Sequence, residues 1–238
     1  MRPQQCCQCL YAQISAVNEN VDTVYLWEDP GLSEPKYHHG NLKEALIQAG
    51  LDILKEDGLE SLSLRACAAR AGVSHGAPKN HFANLAVLQA AIATEGFRQF
   101  AATMRAHMAD APNDARSQIL ASARGYTAFV EDNPALFRLM FSMERDIDIY
   151  PDLLPVSREA YGVLREVSEG LAADNCENPV HRTSVETMLW TFIHGYANLK
   201  ANRQFYTANA ETGRDPELEE IFPRFLYVER EADTDGSP

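Results

Sequence analysis

The sequence predicts an all-α protein: an N-terminal three-helix unit of helix-turn-helix type, followed by a larger α-helical body. Three observations carry this. Apolar residues recur at i, i+3, i+4 and i+7 in segment after segment. Clusters of Gly, Pro, Asn and Asp punctuate those segments. No period-2 runs alternate with the helical ones, which argues against an α/β enzyme fold. The chain has 238 residues, enough for one large domain or two small ones, and 45% hydrophobic residues, enough for a real core.

Residues 1–34 read as a tail, in large part disordered or arising from an upstream start codon, because they hold no sustained period and EDPGLSEP is full of breakers. Leu10, Ile14 and Val17 suit a turn or two of helix, and VDTVYLW suits a strand, but neither has a partner nearby. A first helix is expected over 41–57, capped by Asn41 with Glu44 three residues on and ended by Gly58. Leu42, Leu46, Ala49 and Ile53 form its inward stripe. His38, His39 and Gly40 stand just before it.

The stretch 61–82, SLSLRACAARAGVSHGAPKNHF, reads as two short helices around a tight turn. Ser63 caps the first, and Leu64, Cys67, Ala68 and Ala71 give it a small apolar face that lets a second helix cross closely. Gly72 supplies the left-handed turn residue. Ser74 caps a second helix expected from His75 to about Phe82. His75, Lys79, Asn80 and His81 on that segment are donors suited to phosphates or base edges in a major groove. Pro78 falls near the end of its first turn, where a missing N–H costs less than in a helix interior. A further helix from Asn84 to about Met108, with the stripe Leu85, Leu88, Ile92, Phe100 and Met104, links this unit to the body and is a candidate lever between them.

Residues 37–97 resemble the N-terminal DNA-binding domain of the TetR family of bacterial transcriptional regulators. The resemblance rests on Gly58, Ser63-Leu64-Arg65, Ala71-Gly72-Val73-Ser74 and His81-Phe82, all in register. It implies double-stranded operator DNA as partner and a homodimer with two recognition elements in successive major grooves. Ser63, Arg65, Ser74 and Lys79 would lie on phosphate, with His75, Gly76, Asn80 and His81 near base edges. Two departures stand out. Lys79 occupies the place after Pro78 where the family usually has an aromatic residue. Asn84-Leu85-Ala86 also lacks the lysine usual at the start of the next helix. As a point charge, Lys79 can supply a phosphate contact.

Beyond a break at Ala109 to Asn113 the body reads as helix throughout. One helix begins at Asp114, with Ile119, Tyr126, Phe129 and Val130 inward, and stops at Asn133-Pro134. The apolar ALFRLMFSM follows. A loop is expected over 147–155, a helix over 156–173 with Val156, Ala160, Val163, Leu164 and Val167 inward, a turn at 174–179, a long helix over 180–203, and a last helix over 216–227 before an acidic tail. WTFIHGYANL resembles a Trp-x-x-x-His-Gly signature in the regulatory domain of one TetR branch, and NPALFRLMF fits the same branch. The resemblance implies dimerisation through the last two helices and a close approach at Gly195. Tyr126, Phe129, Phe137, Met140, Phe141, Trp190 and His194 are candidates for a pocket taking a small apolar or amphipathic effector, although each on its own also reads as core. Met143 belongs to the same set. The domain boundaries that follow are a tail (1–34), a DNA-binding head (35–98), a regulatory and dimerisation body (99–228) and an acidic tail (229–238).

Charge supports this division. The net charge of −13 excludes a protein that coats nucleic acid indiscriminately. There is one basic residue against five acidic ones in 1–35, seven against six in 36–98, and thirteen against twenty-three in 99–238. The head alone is not acidic. An acidic body behind it orients the head toward DNA and disfavours a strongly anionic effector.

Five cysteines (Cys6, Cys7, Cys9, Cys67 and Cys176), odd in number and crowded at the start, make a poor disulfide framework and no convincing metal site, and a reduced cytoplasmic protein is expected. No run of eighteen apolar residues suggests a membrane span. No cofactor and no catalytic centre are expected. Gly-x-Ser-x-Gly, phosphate-loop and His-Glu-x-x-His motifs are missing, His181 and His194 have no third ligand nearby, and Asp146 and Asp148 read as solvated loop acids. The alternative reading is a helical ligand-binding or protein-interaction protein whose DNA head has degenerated.

Overall fold

The computed structural model describes residues 42–143, 149–172, 179–205 and 213–222, apart from the side chains of 170–172 and 179–182. The expected cap at Asn41, His38, His39 and Gly40, the tail 1–34, Asp146 and Asp148, the turn at 174–178, the side chain of His181, Cys6, Cys7, Cys9, Cys176 and the acidic tail lie outside the described residues.

Eight α-helices and two 3-10 turns make up the regular structure among the described residues. The first three helices are α1 (Leu42–Glu56), α2 (Leu64–Arg70) and α3 (Leu85–Ala109). They are followed by α4 (Ala115–Asp132), α5 (Pro134–Met143), α6 (Leu153–Ala172), α7 (Pro179–Ala201) and a single turn, α8 (Leu218–Ile221).

Side-chain caps fix the starts of three of these helices. The Ala66 N–H donates to Ser63 Oγ at 3.1 Å, the Val87 N–H to Asn84 Oδ1 at 3.0 Å, and the Ser117 N–H to Asp114 Oδ1 at 2.9 Å. Gly72 ends α2 at φ 69°, a left-handed conformation that a side chain would strain. Around it the Val73 N–H reaches the Ala68 carbonyl at 2.9 Å and the Gly72 N–H the Ala69 carbonyl at 3.1 Å, a Schellman closure.

The expected helix over 75–82 is instead a 3-10 turn, Ala77–Asn80. Pro78 is the reason. It has no N–H to give the Ser74 carbonyl, so the i→i+4 ladder cannot start there. The Ala77 N–H takes that carbonyl at 3.0 Å and Lys79 bonds Gly76 at 3.2 Å, both with 3-10 spacing. Ser74 thus contributes its backbone carbonyl, and the residue at the N-cap position is Gly76, which makes no side-chain cap bond.

Helix α6 begins at Leu153, earlier than the pattern suggested, because Pro155 is tolerated in a first turn. Helix α8 begins at Leu218, where Glu217 and Glu220 form a reciprocal capping box.

Helix α3 is the centre of the packing and lies against α1, α4, α5 and α6. Its inward residues Leu88, Ile92, Phe97, Phe100 and Met104 are all at most 4% exposed. At the N-terminal end they meet Leu46, Ala49 and Ile53 of α1, with Cys67 of α2, in one continuous core. Helix α5 touches both α1 and α3, and α4, α6 and α7 pack on one another beyond. The α3–α4 crossing is tightest at Gly125, where an added Cβ would lie 2.7 Å from the Cα of Met104. Gly195, expected to permit a close approach, would meet nothing within 4 Å.

Candidate DNA-binding head and effector pocket

In the head, one short segment is held down by two anchors. Pro78 is buried and Phe82, four residues on, is 1% exposed. Between and before them Ser74, His75, Gly76, Lys79, Asn80 and His81 all face outward, as does Arg65 on α2. The structure therefore brings seven of the eight candidate contact residues to the surface of one small unit. Ser63, the eighth, is half-buried, and its oxygen is already engaged as the α2 cap. Arg70 of α2 bonds Glu56 at 2.6 Å and Asp57 at 3.0 Å, which ties α2 to the end of α1. Helix α3 starts directly after this segment.

In the body, a narrow cleft with a cavity volume of only about 50 Å³ lies between α3, α4, α6 and α7. Phe97, Phe100 and Met104 of α3 form one wall and Tyr126 of α4 another. Tyr161 and Leu164 of α6, Trp190 and Ile193 of α7, and Phe141 of α5 face them, and the small residues Ser122, Ser157 and Ala160 fill in the rest. Of the sequence candidates, Tyr126, Phe141 and Trp190 line the cleft. Phe129, Phe137, Met140 and Met143 are core residues outside its lining. His194 stands just behind the lining. Its Nδ1 is 2.7 Å from Tyr126 Oη, and its ring packs on Phe137, Phe141 and Trp190 at 5.3, 4.9 and 5.9 Å. Burial pushes the imidazole below its ordinary pKa, so it sits there as the neutral ring.

Sequence reasoning missed the pocket roles of Phe97, Phe100, Met104, Tyr161 and Leu164. An apolar stripe at helical spacing looks the same whether it faces a neighbour or a cleft. Among the described residues no cluster of His, Cys, Asp and Glu suits a metal, and no helix is long and apolar enough to cross a membrane.

Residues 119–224, which span most of this body, match the family described as tetracyclin repressor-like, C-terminal domain. Among solved structures, a protein of unknown function from Rhodococcus sp. RHA1 is 28% identical, with a TM-score of 0.62 over 71% of this chain and 87% of that one. A TetR transcriptional regulator from Streptomyces coelicolor is 20% identical (TM-score 0.52, 73% of this chain and 80% of that one). BioQ of Mycobacterium smegmatis is 22% identical (TM-score 0.51, 76% and 91%). At those identities the last two speak for the fold alone. No curated protein matches the sequence.

Proposed function

We propose, from the premise that this chain belongs to the TetR family of transcriptional regulators, that it is a ligand-responsive repressor acting as a homodimer on a palindromic operator. In this reading residues 35–98 are the DNA-binding head and 99–228 the regulatory and dimerisation body. Arg65, Ser74 and Lys79, with the Ser63 hydroxyl, position the head on phosphate, and His75, Gly76, Asn80 and His81 approach base edges.

The observation that carries the proposal is the continuity of α3. Its first residues follow directly on the exposed segment 74–81, and Phe97, Phe100 and Met104 wall the cleft. Twelve residues separate Leu85 from Phe97, about 18 Å of rigid helix. A ligand that displaces the aromatic wall tilts α3, and the exposed segment moves with its N-terminus. Helix α5 gives a second route, since it carries Phe141 into the cleft and also touches α1. Ligand and operator then oppose each other with the same coupling free energy in both directions.

The test is a gel shift with DNA from immediately upstream of the protein's own gene, run against competitor DNA at several salt concentrations. Specific, salt-sensitive retention supports the regulator. Failure there and on neighbouring promoters favours the degenerate-head alternative, in which Lys79 and the missing lysine near Asn84 mark lost contacts.

A further inference from the structure

Away from the cleft among the aromatic rings, a second cavity of about 180 Å³ opens between α1, α3 and the α4–α5 corner. A water molecule needs roughly 10–15 Å³ of such space, so this cavity has room for a molecule of several heavy atoms. Most of its lining is polar: Gln48, Asp52 and Lys55 on one face of α1, Gln99 on α3, and Asn133 at the turn into α5. Leu51, Leu54 and Leu136 make the rest, the last two buried.

The three amides are oriented by what they already hold. Gln48 Nε2 donates to Asp52 Oδ1 at 2.9 Å, Gln99 Nε2 to Glu95 Oε1 at 3.1 Å, and Asn133 Nδ2 to the Phe129 carbonyl at 3.1 Å. Each partner is a carboxylate or a carbonyl, which only accepts, so it must face the NH2 end of the amide. The three amide oxygens and Asp52 Oδ2 take no hydrogen bond from the described residues. Lys55 is the one cation in the lining, and among the described residues it makes no ion pair.

Acceptor oxygens grouped with a carboxylate suit a primary ammonium, which has three protons to give. Lys55, one helical turn after Asp52, suits an anion, and the leucines suit an aliphatic chain. We propose that this cavity binds a small zwitterion, a free α-amino acid with an aliphatic side chain. Its ammonium lies at Asp52, Gln99 and Asn133 and its carboxylate at Lys55. Bound there, it joins α1 to α3 and α5. The site shares no lining residue with the aromatic cleft and does not depend on operator binding.

Calorimetric titration of the full chain with three probes of one carbon skeleton tests it: L-leucine, 3-methylbutan-1-amine (no carboxylate) and 4-methylpentanoate (no ammonium). Leucine should bind at least about tenfold tighter than either fragment, since each fragment lacks one charge-assisted contact. Asp52→Asn, which still accepts from Gln48, should lower leucine to the affinity of 4-methylpentanoate. Lys55→Gln should lower it to that of 3-methylbutan-1-amine. Asp52 is half-buried and Lys55 exposed, so both variants should keep the wild-type thermal midpoint. Leucine that does not bind, or binds no better than its fragments, overturns the proposal. So does leucine affinity that survives either substitution, which would put the bound molecule elsewhere on the chain.

Discussion

Tyr126 and His194 are joined through Oη and Nδ1 at 2.7 Å, and this contact links α4 to α7 behind the cleft of the body. The pair is enclosed by Phe100, Phe137 and Phe141, so both rings are fixed by packing as well as by the bond.

A pH dependence follows. Burial holds the folded His194 below its ordinary value, whereas in the unfolded chain it returns to about 6.5. Unfolding then takes up a proton, so the stability is intact above about pH 6.5 and declines as the pH falls from there toward the folded value. Thermal midpoints should drop between pH 7 and pH 5, and His194→Gln should show a shallower drop. Parallel curves would contradict this.

Removing only the hydroxyl should cost less than removing the ring. Tyr126→Phe keeps the contacts to Phe100 and Phe137 and loses one bond, for about 1 kcal/mol by urea unfolding. Tyr126→Ala should cost about 3–5 kcal/mol, as for other large buried aromatics.

At the α3–α4 crossing, Gly125→Ala should destabilise by about 1–3 kcal/mol, because the new methyl meets backbone that cannot step aside. Gly96→Ala is the control. There the close neighbour is Met140 Sδ at 2.7 Å, the end of a flexible side chain, and the cost should be smaller. Equal midpoint shifts would show that the α3–α4 crossing gives way as readily as a methionine.

Ser63→Ala should lower stability by about 1 kcal/mol through the lost cap on α2, visible as a shifted urea midpoint with unchanged slope. The same variant probes DNA affinity, and affinity loss beyond that explained by folding would mark a phosphate contact.

Lys79→Ala leaves the buried anchors Pro78 and Phe82 in place and should weaken operator binding about equally across sequences. It should also reduce the slope of log affinity against log salt by about one. An unchanged slope would remove Lys79 from the backbone.

Much of the head was legible because its punctuation is local. Ser63, Gly72 and Asn84 act within one turn of themselves, and the structure uses them as caps and as the α2 stop. The segment 75–82 misled because Pro78 has two compatible outcomes, a first-turn proline or a 3-10 turn, and only the competition for the Ser74 carbonyl decides between them. In the body, the spacing of Phe100, Met104, Tyr126 and Leu164 gave helices and inward faces, but a cleft is a property of four helices at once. The cavity beside α1 was invisible for the same reason. Gln48, Asp52 and Lys55 read as one solvated face until Gln99 and Asn133 are seen across from it.

The central claim is that the segment 74–81 reads DNA as one half of a symmetric pair. Hydroxyl-radical footprinting on the DNA upstream of the protein's own gene tests it most directly. The account predicts two protected patches related by a dyad, with centres about one helical turn, 10–10.5 bp, apart, and both weakened to the same extent in Lys79→Ala. A single unpaired patch, or protection indifferent to sequence, would contradict it.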